Sequence, residues 1–254
     1  TTELLQTMRQ KGGKYLFMTN NSSKSVADYI KKLGKMGIEA TREDFITSSQ
    51  ATAYYLKKHF PGKRLYVCGT KSLIKELESE GFVTTTNLDE VDVVVMGFDT
   101  ELTFQKLEDV SRLLLTREEI PYIATNPDRV CPTDQRTVLV DCGSICKCIE
   151  HATGRQPDVC VGKPDPNMLR GVFERYGYQP EEVAMVGDRI YTDTATAHNA
   201  GAFGVLVLSG ETTLEVAEKV AEDARTNPAP EFFPPDLIVR DVKELGELLL
   251  ANRK

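Results

Sequence analysis

What the chain has little of narrows the field first. No apolar run approaches the ~18 residues that a membrane-spanning helix needs, and residues 1–15 lack the charged-then-apolar order of a secretory signal. The expectation is therefore a protein that works in the cytoplasm, with no membrane partner. Histidine is scarce and scattered (His59, His151, His198), and the six cysteines contain no CxxC pair, so a zinc site has no supporting spacing. In a chain of 254 residues those cysteines do not resemble a disulfide framework and are expected to be reduced thiols. Gly143-Ser144 lacks the surroundings of a nucleophilic serine elbow, so no Ser-His-Asp arrangement competes. Positive charge is also in the minority: Lys and Arg number 31 against 38 Asp and Glu, a net charge of −7. That balance excludes a nucleic-acid backbone as a natural partner and means that any phosphate site must be built deliberately.

What is present is a regular alternation. An apolar content of 41% is ample for real cores. Short strands such as 15–18, 45–47, 65–67, 91–98, 122–124, 159–161, 203–208 and 237–239 alternate with helical spacings such as 26–36, 49–60, 70–80, 103–116 and 213–224. Repeated β-α units mean a parallel sheet with right-handed crossovers, hence an α/β fold. Pro61-Gly62 breaks the pattern before a second α/β unit, and the chain returns to the first near Val159. The division read from this is 1–60, 61–157 and 158–254, with the middle segment inserted.

Chemistry concentrates at strand ends. Val183-Ala184-Met185-Val186 reads as a buried strand, and Gly187 then turns the backbone so that Asp188 stands at its carboxyl end, the edge where ligands sit in such sheets. Asp193 follows across one loop, and two converging carboxylates suit Mg²⁺, which takes few protein ligands and keeps several waters. Taken alone, this could equally be a solvated turn with a capping aspartate. Thr19-Asn20-Asn21-Ser22-Ser23 lies between a strand and a helix opened by a Ser25/Asp28 capping box, where unpaired N–H groups and the helix dipole favour an anion. Lys163 stands in a strand-to-helix loop before Asp165-Pro166, read as N-cap and first helical residue, and can be fixed there as a point charge for phosphate. The loop Thr125-Asn126-Pro127-Asp128-Arg129 is either a substrate-selecting loop or a Pro-directed turn.

In order along the chain, Phe17-Met18-Thr19-Asn20-Asn21-Ser22-Ser23-Lys24-Ser25, Gly162-Lys163-Pro164-Asp165 and Gly187-Asp188-Arg189-Ile190-Tyr191-Thr192-Asp193 resemble the haloacid dehalogenase-like (HAD) phosphatases. Gly97-Phe98-Asp99 and Thr125-Asn126-Pro127-Asp128 narrow the resemblance to the NagD and 4-nitrophenylphosphatase branch, with its class IIA cap. It implies a Rossmann-like core with an inserted cap, and a Mg²⁺-dependent hydrolase of small phosphorylated metabolites (nucleotide, sugar or aryl phosphates), with a homodimer as the assembly to test. In it Thr19, Asn20 and Asn21 hold the phosphoryl group and Lys163 neutralises its charge. Asp188 binds Mg²⁺ with support from Asp193, while Asn126, Asp128 and Arg129 select the substrate. The family's first motif, of DxDGT type, supplies the nucleophile and an acid. No aspartate precedes Asp28, so the resemblance places both upstream of Thr1, on a strand central to the sheet. The alternatives are a non-catalytic phosphate-binding or regulatory protein and a response-regulator-like phosphoacceptor, which would need neither the cap nor the late GDxxxxD.

Overall fold

The computed structural model describes residues 2–133, 135 and 137–251. Helix α1 (Thr2–Gln10) leads into strand β1 (Phe17–Thr19), helix α2 (Val26–Lys35), strand β2 (Phe45–Thr47) and helix α3 (Ser48–His59). Helix α2 begins where the sequence says it should, and α3 begins one residue earlier than the spacing from 49 suggests. Ser25 and Asp28 close a reciprocal capping box on α2, and Thr47 with Gln50 closes another on α3. Strands β1 and β2 pair in parallel, Phe17 opposite Phe45 and Thr19 opposite Thr47.

The chain continues through β3 (Arg64–Cys68), α4 (Lys71–Ser79), β4 (Val83–Thr84), β5 (Val93–Met96), α5 (Phe104–Thr116) and β6 (Tyr122–Ala124). Then follow β7 (Val130–Pro132), β8 (Val138–Val140), α6 (Cys142–Thr153), β9 (Val159–Cys160) and α7 (Asn167–Tyr176). A five-stranded parallel sheet runs β4-β3-β5-β6-β9, while β7 and β8 form a separate antiparallel hairpin that the periodicity did not reveal. Every residue of β5 and β6 is buried, because helices cover both faces of a parallel sheet. Tyr66, Val94, Met96, Val110, Leu114, Tyr122, Ile145 and Ile149 share one core, and each fully buried side chain of this size contributes roughly 1.5–3 kcal/mol. Val159–Cys160, read as rejoining the first core, instead adds to this sheet through β6, with Ile123 opposite Val159.

Last come β10 (Ala184–Gly187), a π-helical turn (Ile190–Thr194), α8 (Ala195–Ala200), β11 (Phe203–Val207), α9 (Leu214–Thr226), β12 (Leu237–Val239) and α10 (Val242–Ala251). Strands β10, β11 and β12 make a parallel sheet in that order. Strand β10 is not buried throughout as its composition suggests. It is an edge of its sheet, so Met185 is covered while Val186 is 40% exposed. By contact density the described residues up to Tyr15 together with those from Lys163 onward form one compact unit, and Leu16–Gly162 forms the other. No helix among the described residues is long and apolar enough to cross a membrane, and the six cysteines are free thiols.

Candidate active site

In the unit Leu16–Gly162, Thr19 ends β1 and its hydroxyl accepts the N–H of Asn21 at 3.2 Å, bending the backbone tightly. Asn21 Oδ1 in turn accepts the N–H and hydroxyl of Ser23 at 2.9 and 2.7 Å. The bend therefore delivers the Thr19–Asn21 segment to the approach of α2, with local N–H groups ordered by local acceptors. Tyr29 packs beneath it, 3.5 Å from the Asn21 carbonyl oxygen. Burial pushes the Tyr29 phenol up to about 12 against the opposing pull of a hydrogen bond with Thr19, so it remains a neutral donor.

Asn20 is buried and held from several directions. Its side-chain Nδ2 donates to both carboxylate oxygens of Asp128 at 3.2 Å. Its main-chain oxygen accepts from Ser48 Oγ at 2.6 Å and from Asn126 Nδ2 at 2.9 Å. Asn126, fully buried, also accepts the Asp128 N–H at 3.0 Å, so one amide shapes the loop and ties it to Asn20. The structure thus gathers Asn20, Asn126 and Asp128, from sequence positions far apart. Arg129 is exposed, and its main-chain oxygen anchors Asp141 N and Ser144 Oγ. The loop can lie this close to α6 because residue 143 is glycine: a Cβ there would fall 2.2 Å from the Pro127 oxygen. Ser48 and Gly143 carried no signal in the sequence beyond their place at helix starts.

In the other unit Lys163 Nζ lies 2.5 Å from Asp193 Oδ1, with the Asp193 side chain buried, 7% exposed, and that of Lys163 partly buried, 12% exposed. Asp193 Oδ2 accepts the Arg189 N–H at 3.2 Å, so both of its oxygens are engaged. Gly187 permits this: a Cβ at that position would fall 2.2 Å from the Asp193 carboxylate carbon. Asp165 caps α7 by accepting the Asn167 N–H at 2.7 Å, and the helix begins one residue later than the sequence suggests. Burial raises the Asp165 carboxyl above the ordinary 3.8.

Asp188 stands at the end of β10, partly exposed. Its Oδ2 accepts the Glu211 N–H at 2.9 Å, and its Oδ1 has no hydrogen-bond partner among the described residues. One oxygen held by a backbone donor and one left open is a donor set that fits Mg²⁺, which takes one or two carboxylates and fills its remaining positions with water. Among the described residues no group of three or more His, Cys, Asp or Glu side chains is gathered as a metal cage. Asp188 would hold such an ion, while Asp193 fixes Lys163 beside the loop.

Comparison with known proteins finds relatives across most of the chain. Residues 1–83 match the family described as haloacid dehalogenase-like hydrolase, and residues 160–245 match the HAD-hydrolase-like family. The chain is 32% identical to the chloroplastic phosphoglycolate phosphatase 1A of Arabidopsis thaliana, over 92% of this chain and 71% of that protein. It is 35% identical to an acid sugar phosphatase of Staphylococcus aureus, over 84% of this chain and 80% of that protein. Among solved structures, a 4-nitrophenylphosphatase from Thermotoga maritima superposes with a TM-score of 0.85 at 38% identity, covering 96% of this chain and 88% of that one.

Proposed function

This chain belongs to the haloacid dehalogenase-like hydrolases, and on that premise we propose that it is a Mg²⁺-dependent phosphatase of small phosphorylated metabolites, working in the cytoplasm. The observation that carries the reading is in the loop after β10: Asp193 fixes the partly buried Lys163, and Asp188 in the same loop keeps an open carboxylate oxygen. Relatives named for phosphoglycolate, sugar and nitrophenyl phosphates support a monoester substrate and leave the class to the cap, taken as residues 61–157.

Phosphate monoester hydrolysis is among the slowest uncatalysed reactions, so charge stabilisation and positioning must supply most of the acceleration. In this reading a carboxylate oxygen attacks phosphorus, the bond to the leaving oxygen breaks, and an acid returns a proton to the leaving group. Water then attacks the aspartyl phosphate, releasing inorganic phosphate and regenerating the carboxylate. The resemblance assigns both acidic groups to a motif of DxDGT type, which the described residues do not contain. The Thr19 hydroxyl and the Asn20 N–H hold phosphoryl oxygens, while the Asn21 N–H, taken by Thr19 Oγ1, shapes the bend that presents them. Asn20 itself is kept in place by Asp128 and Asn126. Lys163 offsets the charge on the transferring group, its ammonium oriented by Asp193. Asp188 would hold Mg²⁺, which when bound would supply Lewis-acid charge neutralisation. Asn126, Asp128 and Arg129 lie on the loop through which the cap acts on the leaving group.

A panel of sugar, nucleotide, aryl and short acid phosphates, assayed for released phosphate with the full-length protein, tests this directly. Turnover of at least one class supports the phosphatase. Saturable binding of phosphate compounds with no release from any of them would replace it by a phosphate-binding protein. Size-exclusion chromatography with light scattering decides between a homodimer and a monomer.

A further inference from the structure

The segment Gly210-Glu211-Thr212, which follows β11 and carries no motif, is joined to Asp188 by two backbone donors. Glu211 N–H donates to Asp188 Oδ2 at 2.9 Å, and Thr212 N–H donates to the Asp188 main-chain oxygen at 3.0 Å. The Thr212 hydroxyl, buried, accepts the Ile190 N–H at 3.2 Å, so one residue grips the loop on both sides of Arg189. Glu211 closes the other side: its carboxylate takes Arg189 Nε at 2.7 Å and the hydroxyl of Tyr191. Residue 210 has no room for a side chain, because a Cβ there would lie 2.2 Å from Asp188 Oδ2 and 2.3 Å from Asp188 Cβ.

From this geometry we propose that Gly210 and Thr212 are positioning residues for the metal carboxylate, resting on the Mg²⁺ reading above. The Glu211 N–H holds Oδ2 against the turn and thereby presents Oδ1, which has no partner among the described residues, to the ion. Gly210 leaves the space in which the carboxylate lies against the turn, and Thr212 locks the turn to the loop. The demand is specific to a small ion. Mg²⁺ requires near-ideal octahedral geometry at about 2.0–2.1 Å, whereas Ca²⁺ accepts irregular shells at about 2.3–2.6 Å. Loosening the seat therefore costs Mg²⁺ more than Ca²⁺. Groups that orient metal ligands typically change affinity by about 10–100-fold when removed.

The test is calorimetric titration of the metal-stripped full-length protein with Mg²⁺ and separately with Ca²⁺, for wild type, Thr212→Val, Thr212→Ser and Gly210→Ala. Expected are a Mg²⁺ dissociation constant raised about tenfold or more in Thr212→Val, a clearly smaller change for Ca²⁺, and recovery in Thr212→Ser. Gly210→Ala should lose Mg²⁺ more completely. If it does not fold, the Thr212 pair carries the test. Wild-type binding of Mg²⁺ with an unchanged Thr212→Val, or with Mg²⁺ and Ca²⁺ weakened equally, overturns the positioning role and leaves the phosphatase reading intact. No Mg²⁺ binding by wild type overturns both.

Discussion

Replacing Lys163 by methionine keeps the length of the side chain and removes its charge from Asp193. The pair is largely buried, with Lys163 12% and Asp193 7% exposed and the charged atoms 2.5 Å apart. Removing one member of a buried pair costs about 3–5 kcal/mol, because the remaining charge is left unmatched. Water reaches the lysine side and the Arg189 N–H still serves Asp193 Oδ2, which argues for the lower end, about 3 kcal/mol. For a chain of this size each kcal/mol moves the melting temperature by about 2–4 °C, so Lys163→Met should melt roughly 6–12 °C lower. The double variant Lys163→Met with Asp193→Asn removes the stranded charge and should recover at least half of the loss. Scanning calorimetry of the three proteins in one buffer is the assay. A drop of less than about 2 °C, or a double variant no better than the single one, refutes the idea that these residues form one electrostatic unit.

Two further perturbations probe other parts of the site. Asn126→Ala leaves the Asp128 N–H without its acceptor and strips one donor from the Asn20 carbonyl oxygen, which should cost about 1–3 kcal/mol in a urea melt. A midpoint equal to wild type would mean the loop is held elsewhere. Asp165→Asn tests a pH dependence. The folded state raises the Asp165 carboxyl, so it holds that proton more tightly than the unfolded chain, and the contribution is favourable at low pH and lost as pH rises through the folded value. At pH 7 the buried charge is a cost, and asparagine removes it while still accepting the Asn167 N–H. Asp165→Asn should therefore melt at or above wild type at pH 7, with the advantage shrinking as pH falls through the raised folded value toward 3.8, and a lower melting temperature at pH 7 contradicts the reasoning.

What was legible in the sequence was local. The capping box at Ser25/Asp28 is written within four residues, so the start of α2 could be read directly. Strand ends at Thr19 and Gly187 follow from the switch between apolar runs and polar turns. What was hidden depends on distant neighbours. Strands β7 and β8 are mostly exposed and have no alternation to find. Strand β9 is a dipeptide whose sheet is chosen by β6, and no periodicity encodes that choice. Asn126 looks like turn chemistry until its amide is seen on the Asn20 carbonyl oxygen, 106 positions away. Gly210 and Thr212 carry no signal in the sequence because their partner, Asp188, lies just past the end of the adjacent strand. The region from Arg189 to Asp193 was expected to be a simple loop into a helix, and the wider π-helical turn there brings Asp193 back to the Arg189 N–H.

The central claim is that Asp188 anchors Mg²⁺ for phosphoryl transfer. The most direct measurement is phosphate release from 4-nitrophenyl phosphate by the full-length wild type and Asp188→Asn, each stripped of metal and then titrated with Mg²⁺. The account predicts wild-type turnover that is absent after stripping and restored by Mg²⁺, with no restoration in Asp188→Asn. Equal turnover in the two proteins, or wild-type turnover indifferent to Mg²⁺, would contradict it.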